Sequence, residues 1–460
     1  MTGLSERKAA IVRTLFETAP DGVVGGLRKA LADIGDDGLL TTVRDLVESE
    51  ARDRHLRDII FAPIAPLCAA PAQPGVELSF PPTALASLWR GLKRLAPDEI
   101  QSAKADLTQE EPAEPSTALC DAFVRLMVEQ LRLGRMPEVR TAAEACEAAR
   151  AGAAGELAAC LDLGAIVRRS IPRLPEWLTH AGDETHAAVH LAYKDAVEIA
   201  PDAGPRFFEM LAAQLPQPWR VLRLISAVMD KPTEHFLASS EFRGFPERLL
   251  ADIDDALHRL RRLEADAGPD AARAAGRLVD TISRQTHEFD ACIILNRDTG
   301  WGHRVLEQKR ALAALVESVL DDAETLVTAA MPTRTLGSSR QRRTLPKLDV
   351  APDPVAITRA MTLLTFAHEV HTRAPYAGFS AAQAKFEERL GAQLDQYVDE
   401  ALDLMRAADG VDMDAAHAIL LTCADFCQLV RDGRSADLIR RRAAASTHGH
   451  PAETPGEPVI

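Results

Sequence analysis

The sequence predicts an all-α protein, either a multi-helix bundle or an irregular α-solenoid of antiparallel helices, on three observations. Of its 460 residues, 78 are Ala, and Ala, Leu, Arg and Glu are among the strongest helix formers. Aromatic residues make up only 5%, with 3 Tyr and 4 Trp, which leaves little of the material that fills a large pleated surface. Prolines punctuate the chain, and between them apolar residues recur at three- and four-residue spacing, as one buried helix face requires.

Residues 1–62 read as an N-terminal helical region, broken at Pro20 and across Gly35 to Gly38. Residues 63–116 read as Pro-rich linker segments with an intervening helix around Leu85 to Leu95. The stretch Ile59 to Val76 has 18 uncharged residues, long enough for a spanning helix. Pro63, Pro66, Pro71 and Pro74 defeat that reading, because each removes a backbone donor that lipid cannot replace. An extended segment lying over a helical core is expected instead. Residues 117–331 form a central multi-helix domain, with stripes at Leu249, Leu250, Ile253, Leu257 and Leu260 and at Leu312, Leu315, Val316, Val319, Leu320, Ala323 and Leu326. No tetratricopeptide, ankyrin or leucine-rich period recurs.

Residues 332–354 combine Pro, Gly and Ser without apolar periodicity and read as a basic flexible linker. Residues 355–445 form a C-terminal helical unit. Ser380 and Gln383 fit a capping box there, followed by the stripe Phe386, Leu390, Leu394, Tyr397, Ala401 and Met405. The tail 446–460, with Pro451, Pro455 and Pro458, has too little apolar surface to order itself.

Charge narrows the partners. With 53 basic and 68 acidic residues the net charge is −15, which opposes unpatterned attraction to nucleic acid or anionic membrane. The basic residues are 44 Arg and 9 Lys, a skew that with the Ala content resembles GC-rich bacterial coding. Arg334, Arg340, Arg342, Arg343 and Lys347 stand together in the linker with no acidic neighbour. This cluster is expected to be a solvated spacer or to dock an acidic or phosphorylated partner. Interleaved aromatics, which single-stranded nucleic acid normally stacks on, are absent from it. The 7 Cys are scattered and odd in number, unlike a secreted disulfide framework, and the first residues lack a signal-peptide core. A cytoplasmic protein without a transmembrane segment is expected.

Catalytic signatures do not appear. There is no phosphate-binding GxxxxGK[ST] loop, no GxSxG elbow and no CxxC pair. The string Gly300 to Val305, GWGHRV, lacks the third glycine of a dinucleotide loop. His186 with His190 and His368 with His371 have one-turn spacings that two ligands of a metal need, yet neither pair completes a signature, and HEVH is one residue short of HExxH. No metal or cofactor is expected. Cys423 and Cys427 sit in an apolar run and read as core filling. Trp219 follows Pro218 at an expected helix start; with Arg220 it is a candidate partner contact, since both residue types are enriched in interface hot spots. The expectation is a helical adaptor or scaffold for protein partners. Two alternatives stand: an all-helical hydrolase or transferase built around His186, His190, His303 or His368, and a regulatory module binding an anionic ligand through residues 332–347.

Overall fold

The computed structural model describes residues 5–32, 38–107, 114–179, 182–229, 231–336, 343–373, 378–407 and 411–447. About 80% of the protein is helical, so the all-α expectation holds, with one two-stranded sheet beside the helices among the described residues. The chain divides into two compact units, residues 1–232 with 236–243 and residues 233–235 with 244–460. The division thus falls near residue 240 rather than at the basic segment 332–354.

In the first unit, helices Glu6–Thr18, Asp21–Ala32 and Gly38–Ile60 enclose a small core of Val24, Leu31 and Val47. Arg54, only 9% exposed, secures this corner. Its guanidinium donates to the carbonyls of Phe16 (2.7 Å) and Ala19 (2.8 Å), to Asp21 and to Glu50. Burial raises the pKa of Asp21, but Arg57 and Arg54 outweigh it and hold the carboxyl below its ordinary value. Arg168 acts similarly at the C-terminal end of helix Gly38–Ile60, donating to the carbonyls of Ile59 (2.7 Å) and Ile60 and pairing with Asp121 at 3.1 Å.

The uncharged stretch from Ile59 does not form a spanning helix. The helix stops at Ile60, a single tight turn covers Ala65–Cys68, and an extended run follows. That run is pinned by three hydrogen bonds: Gln73 Nε2 to the Leu215 carbonyl, the Glu77 N–H to the buried Glu209 carboxylate, and the Phe80 N–H to the Leu67 carbonyl. Helix Ala203–Ala213 is buried along almost its whole length and centres this core, with Phe207, Phe208, Met210 and Leu211 inaccessible. Prolines start helices here, as at Pro82, Pro97 and Pro137; the missing N–H is one that a first turn leaves unpaired anyway.

In the second unit, helices Gly244–Leu260, Gly268–Cys292, Gly300–Ala330, Pro354–Arg373, Ser380–Ala407, Met413–Val430 and Gly433–Thr447 pack around the expected stripes. Leu249, Leu250, Ile253, Leu257 and Leu260 are buried, as are Phe386, Leu390, Leu394, Tyr397, Ala401 and Met405. The segment expected to be a flexible linker holds a hairpin instead. Strand β1 (Thr333–Leu336) pairs antiparallel with β2 (Arg343–Pro346), Thr333 opposite Pro346. Thr333, Thr335 and Thr344 supply β-branched residues, and the hairpin is anchored by the Tyr397 hydroxyl on the Pro332 carbonyl at 2.7 Å and by buried Leu348. The expected capping box also differs. Gln383 is buried, and its amide donates to Glu387 Oε1 at 2.9 Å and to the Ala367 carbonyl at 3.4 Å rather than reaching back.

The string Gly300 to Val305 opens the 31-residue helix Gly300–Ala330 and takes an anion after all, one supplied by the protein itself. The Glu234 carboxylate accepts the N–H groups of Trp301 (2.5 Å), Gly302 (3.2 Å) and Asn296 (3.1 Å). Gly300 has φ +62°, and a Cβ on it would lie 1.9 Å from Glu234 Oε1. A Cβ on Gly302 would lie 2.1 Å from the Asn296 carbonyl oxygen. Both glycines exist to let the carboxylate and a backbone carbonyl approach.

Replacing this carboxylate gives a direct test. Glu234→Ala is expected to lower the stability of the unit carrying it by about 1–3 kcal/mol in denaturant unfolding, since helix N–H groups lose a charged acceptor. Glu234→Gln, keeping one acceptor oxygen, should lose less, and added formate should restore part of the Ala variant's deficit. Equal stability of all three proteins would show that the cap contributes nothing.

Candidate functional site

Beside the hairpin-bearing core of the second unit lies a cleft of about 710 Å³, lined by residues from helices Pro354–Arg373 and Ser380–Ala407 and from the end of Met413–Val430. His368 and His371 come from the last turns of the first helix. Ala384, Glu387, Glu388, Ala392 and Asp395 follow one face of the second at three-, four- and eight-residue offsets. Leu429, Val430 and Arg431 close it from the third.

The polar groups are ordered by one another. His371 Nδ1 stands 2.8 Å from Glu387 Oε1; a carboxylate accepts, so Nδ1 carries the proton and Nε2 keeps the lone pair when the ring is neutral. Glu387 is fixed in turn by Gln383. His368 Nδ1 lies 3.3 Å from the Leu429 carbonyl, where it helps close the end of helix Met413–Val430. Arg431 forms a two-pronged pair with Asp395, at 3.0 Å and 2.8 Å. These hydrogen bonds hold the Arg431 guanidinium protonated more firmly than usual. Its path crosses Gly391, where a Cβ would come within 2.6 Å of Arg431 Nε. The missing side chain at Gly391, a helix-interior residue that costs about 1 kcal/mol against Ala, is what seats the guanidinium flat against the helix.

The cleft wall is also polarised by backbone. Two helices end at it with their C-termini, which carry partial negative charge. Behind it, the Cys423 and Cys427 thiols are buried, and desolvation pushes Cys423 up to about 12. They fill core, as expected.

The residues singled out in the sequence distribute as follows. His368 and His371 meet in the cleft. His186 and His190 are exposed on one face of helix Asp183–Ile199 in the first unit, and His303 is exposed on the first turn of Gly300–Ala330. Among the described residues no group of three or more His, Cys, Asp or Glu is arranged to hold a metal ion. Trp219 is half-buried, and Arg220 donates to the Leu178 carbonyl at 3.2 Å beside Arg223 at 2.8 Å, so the guanidinium closes a helix end. Arg340 and Arg342 lie outside the described residues; Arg343 belongs to β2, and its side chain lies outside them too. Sequence reasoning missed Glu387, Glu388, Asp395 and Arg431. Their only signal was the polar edge of the stripe that starts at Phe386.

Among the described residues one helix, Met413–Val430, is long and apolar enough to cross a membrane by length and composition, and half of it is buried in the fold. Comparison with protein-family models, with curated proteins and with solved structures finds no match to this chain.

The thiols provide a check on the packing around this site. All seven Cys are free and buried, and burial pushes Cys68 and Cys160, like Cys423, up to about 12. At pH 8 such a thiol is ionised in about one molecule in 10⁴, and the thiolate is the nucleophile. Iodoacetamide at pH 8 should therefore leave the native protein unlabelled over hours and label seven sites at once in denaturant, counted by mass spectrometry. Rapid native labelling of Cys423 or Cys427 would contradict the packing behind the cleft.

Proposed function

We propose that this protein is an interaction module, an adaptor that engages a protein partner through the cleft of its second unit. The observation that supports this most is the form of the cleft: an open, charged concavity in which His371, Glu387, Asp395 and Arg431 are held by other side chains, set on three helices rather than on loops. Rigid placement lowers the ordering cost of association. Charged groups at its rim give specificity and steer encounter. A reducing cytoplasmic location accords with seven free, buried thiols.

A second reading draws on one specific contact. His371, oriented by Glu387 with Nε2 as the basic nitrogen, has the local arrangement of a general base. In that reading the protein is an all-helical hydrolase or transferase, and Glu387→Gln would lower kcat while leaving the fold intact.

The adaptor reading is tested with a photo-crosslinking residue at position 388, and at exposed Glu176 in the first unit as a control, in the native cell. A discrete adduct from position 388 alone, lost when Ala392→Trp fills the cleft, is the expected result. Identical adducts from both positions, or adducts indifferent to Ala392→Trp, would remove the cleft from any role in binding.

A further inference from the structure

We infer that the cleft receives a lysine- or arginine-bearing segment of the partner; this rests on the adaptor reading and names the chemistry the site recognises. Three carboxylates, Glu387, Glu388 and Asp395, line the cleft against one guanidinium, Arg431. That guanidinium is committed to Asp395 through both of its prongs, so it offers little to an incoming anion. Glu387 is engaged by His371 and Gln383. Glu388 is exposed and has no ion-pair or hydrogen-bond partner among the described residues. The C-termini of helices Pro354–Arg373 and Met413–Val430 add partial negative charge at the same place. Among the described residues that line the cleft, the features not already neutralised therefore favour a cation.

The remaining lining residues select the kind of cation. Ala384 and Ala392 keep the helix face low, and Leu429 and Val430 offer apolar surface opposite. A bare metal ion gains nothing from these four residues. A lysine or arginine side chain lays its hydrocarbon stem along such a surface and keeps its charged head beside a carboxylate. Because the cleft is open, the residues flanking that side chain in a peptide also find contact at the rim, which a free amine lacks. The complementarity is thus to a basic peptide segment, with Glu388 as the principal acceptor and Glu387 as the second.

The test uses the full chain and three fluorescein-labelled nonapeptides of Gly and Ser carrying four Arg and Lys, four Gln or four Glu, followed by anisotropy at 150 mM salt. Because the whole protein is acidic, charge reversal at the cleft is compared with the same reversal elsewhere. The basic peptide should bind, and Glu388→Lys should weaken it at least tenfold while Glu176→Lys changes it less than twofold. Ala392→Trp, which alters no charge, should weaken it similarly, and Glu388→Gln should have an intermediate effect. Position 388 lies on an exposed helix face, so its variants keep the test valid if Ala392→Trp fails to fold. Equal losses from Glu388→Lys and Glu176→Lys would overturn the inference, as diffuse attraction to the acidic surface. Equal, Ala392→Trp-sensitive binding of the Gln peptide would overturn the cationic ligand and leave the adaptor reading standing. No cleft-dependent binding of any peptide, together with no position-388 adduct, would overturn both.

Discussion

The structure depends on closing helix ends with charged side chains that arrive from far along the chain. Each helix leaves N–H groups at its start and carbonyls at its end without internal partners, and burying them unpaired costs about 1–3 kcal/mol apiece. In a chain of short helices that cost recurs constantly. Local caps serve some helix starts: Ser116, Asp353, Asp412 and Asp432 accept N–H groups of the turns they precede. Other helix ends have distant partners. Glu234 closes the start of Gly300–Ala330 from 67 residues away, and Arg168 closes the end of Gly38–Ile60 from 109 residues away. Arg54 and Arg220 do the same for other carbonyl ends. Such contacts join helices end to side, so the tertiary arrangement and the integrity of each helix are the same problem.

This gives the arginine content a physical role that its coding-bias reading lacks. A guanidinium can donate to two carbonyls and a carboxylate at once, as Arg168 does on Ile59, Ile60 and Asp121. A lysine ammonium is a point charge without that fork. Whatever mutational pressure supplied 44 Arg, the fold uses a number of them as clamps. It uses carboxylates in the mirror-image way, Glu147 accepting the N–H groups of Gly152 and Ala154 at the start of the next helix.

The part of the fold legible in the sequence was the part governed by local periodicity. The stripes Leu249 to Leu260 and Phe386 to Met405 are buried as spacing requires, because a helix buries whichever face is apolar regardless of what covers it. The hairpin was hidden because its strands are four residues each and carry threonine rather than an apolar alternation. The glycines of GWGHRV were visible as a departure from helical composition, but the carboxylate they accommodate sits in another element. The cleft was legible by half: the one-turn spacing of His368 and His371 marked one wall, while Glu387 and Arg431 belong to separate helices brought there by packing. Pairing between elements leaves no periodic trace, so it escapes a reading based on periods.

The position of the cleft follows from the same constraint. Where Arg168 or Glu234 closes a helix end, the charged group itself meets the free backbone groups of that end. At the end of Met413–Val430 the closing groups are smaller or turned aside. His368 reaches Leu429 with a short imidazole at 3.3 Å, and Arg431, instead of folding back on the carbonyls, runs across Gly391 to Asp395. A helix terminus handled in this way keeps part of its negative potential and leaves an unfilled volume next to it. A ligand cation there takes the place that an arginine of the chain itself holds at the other helix ends.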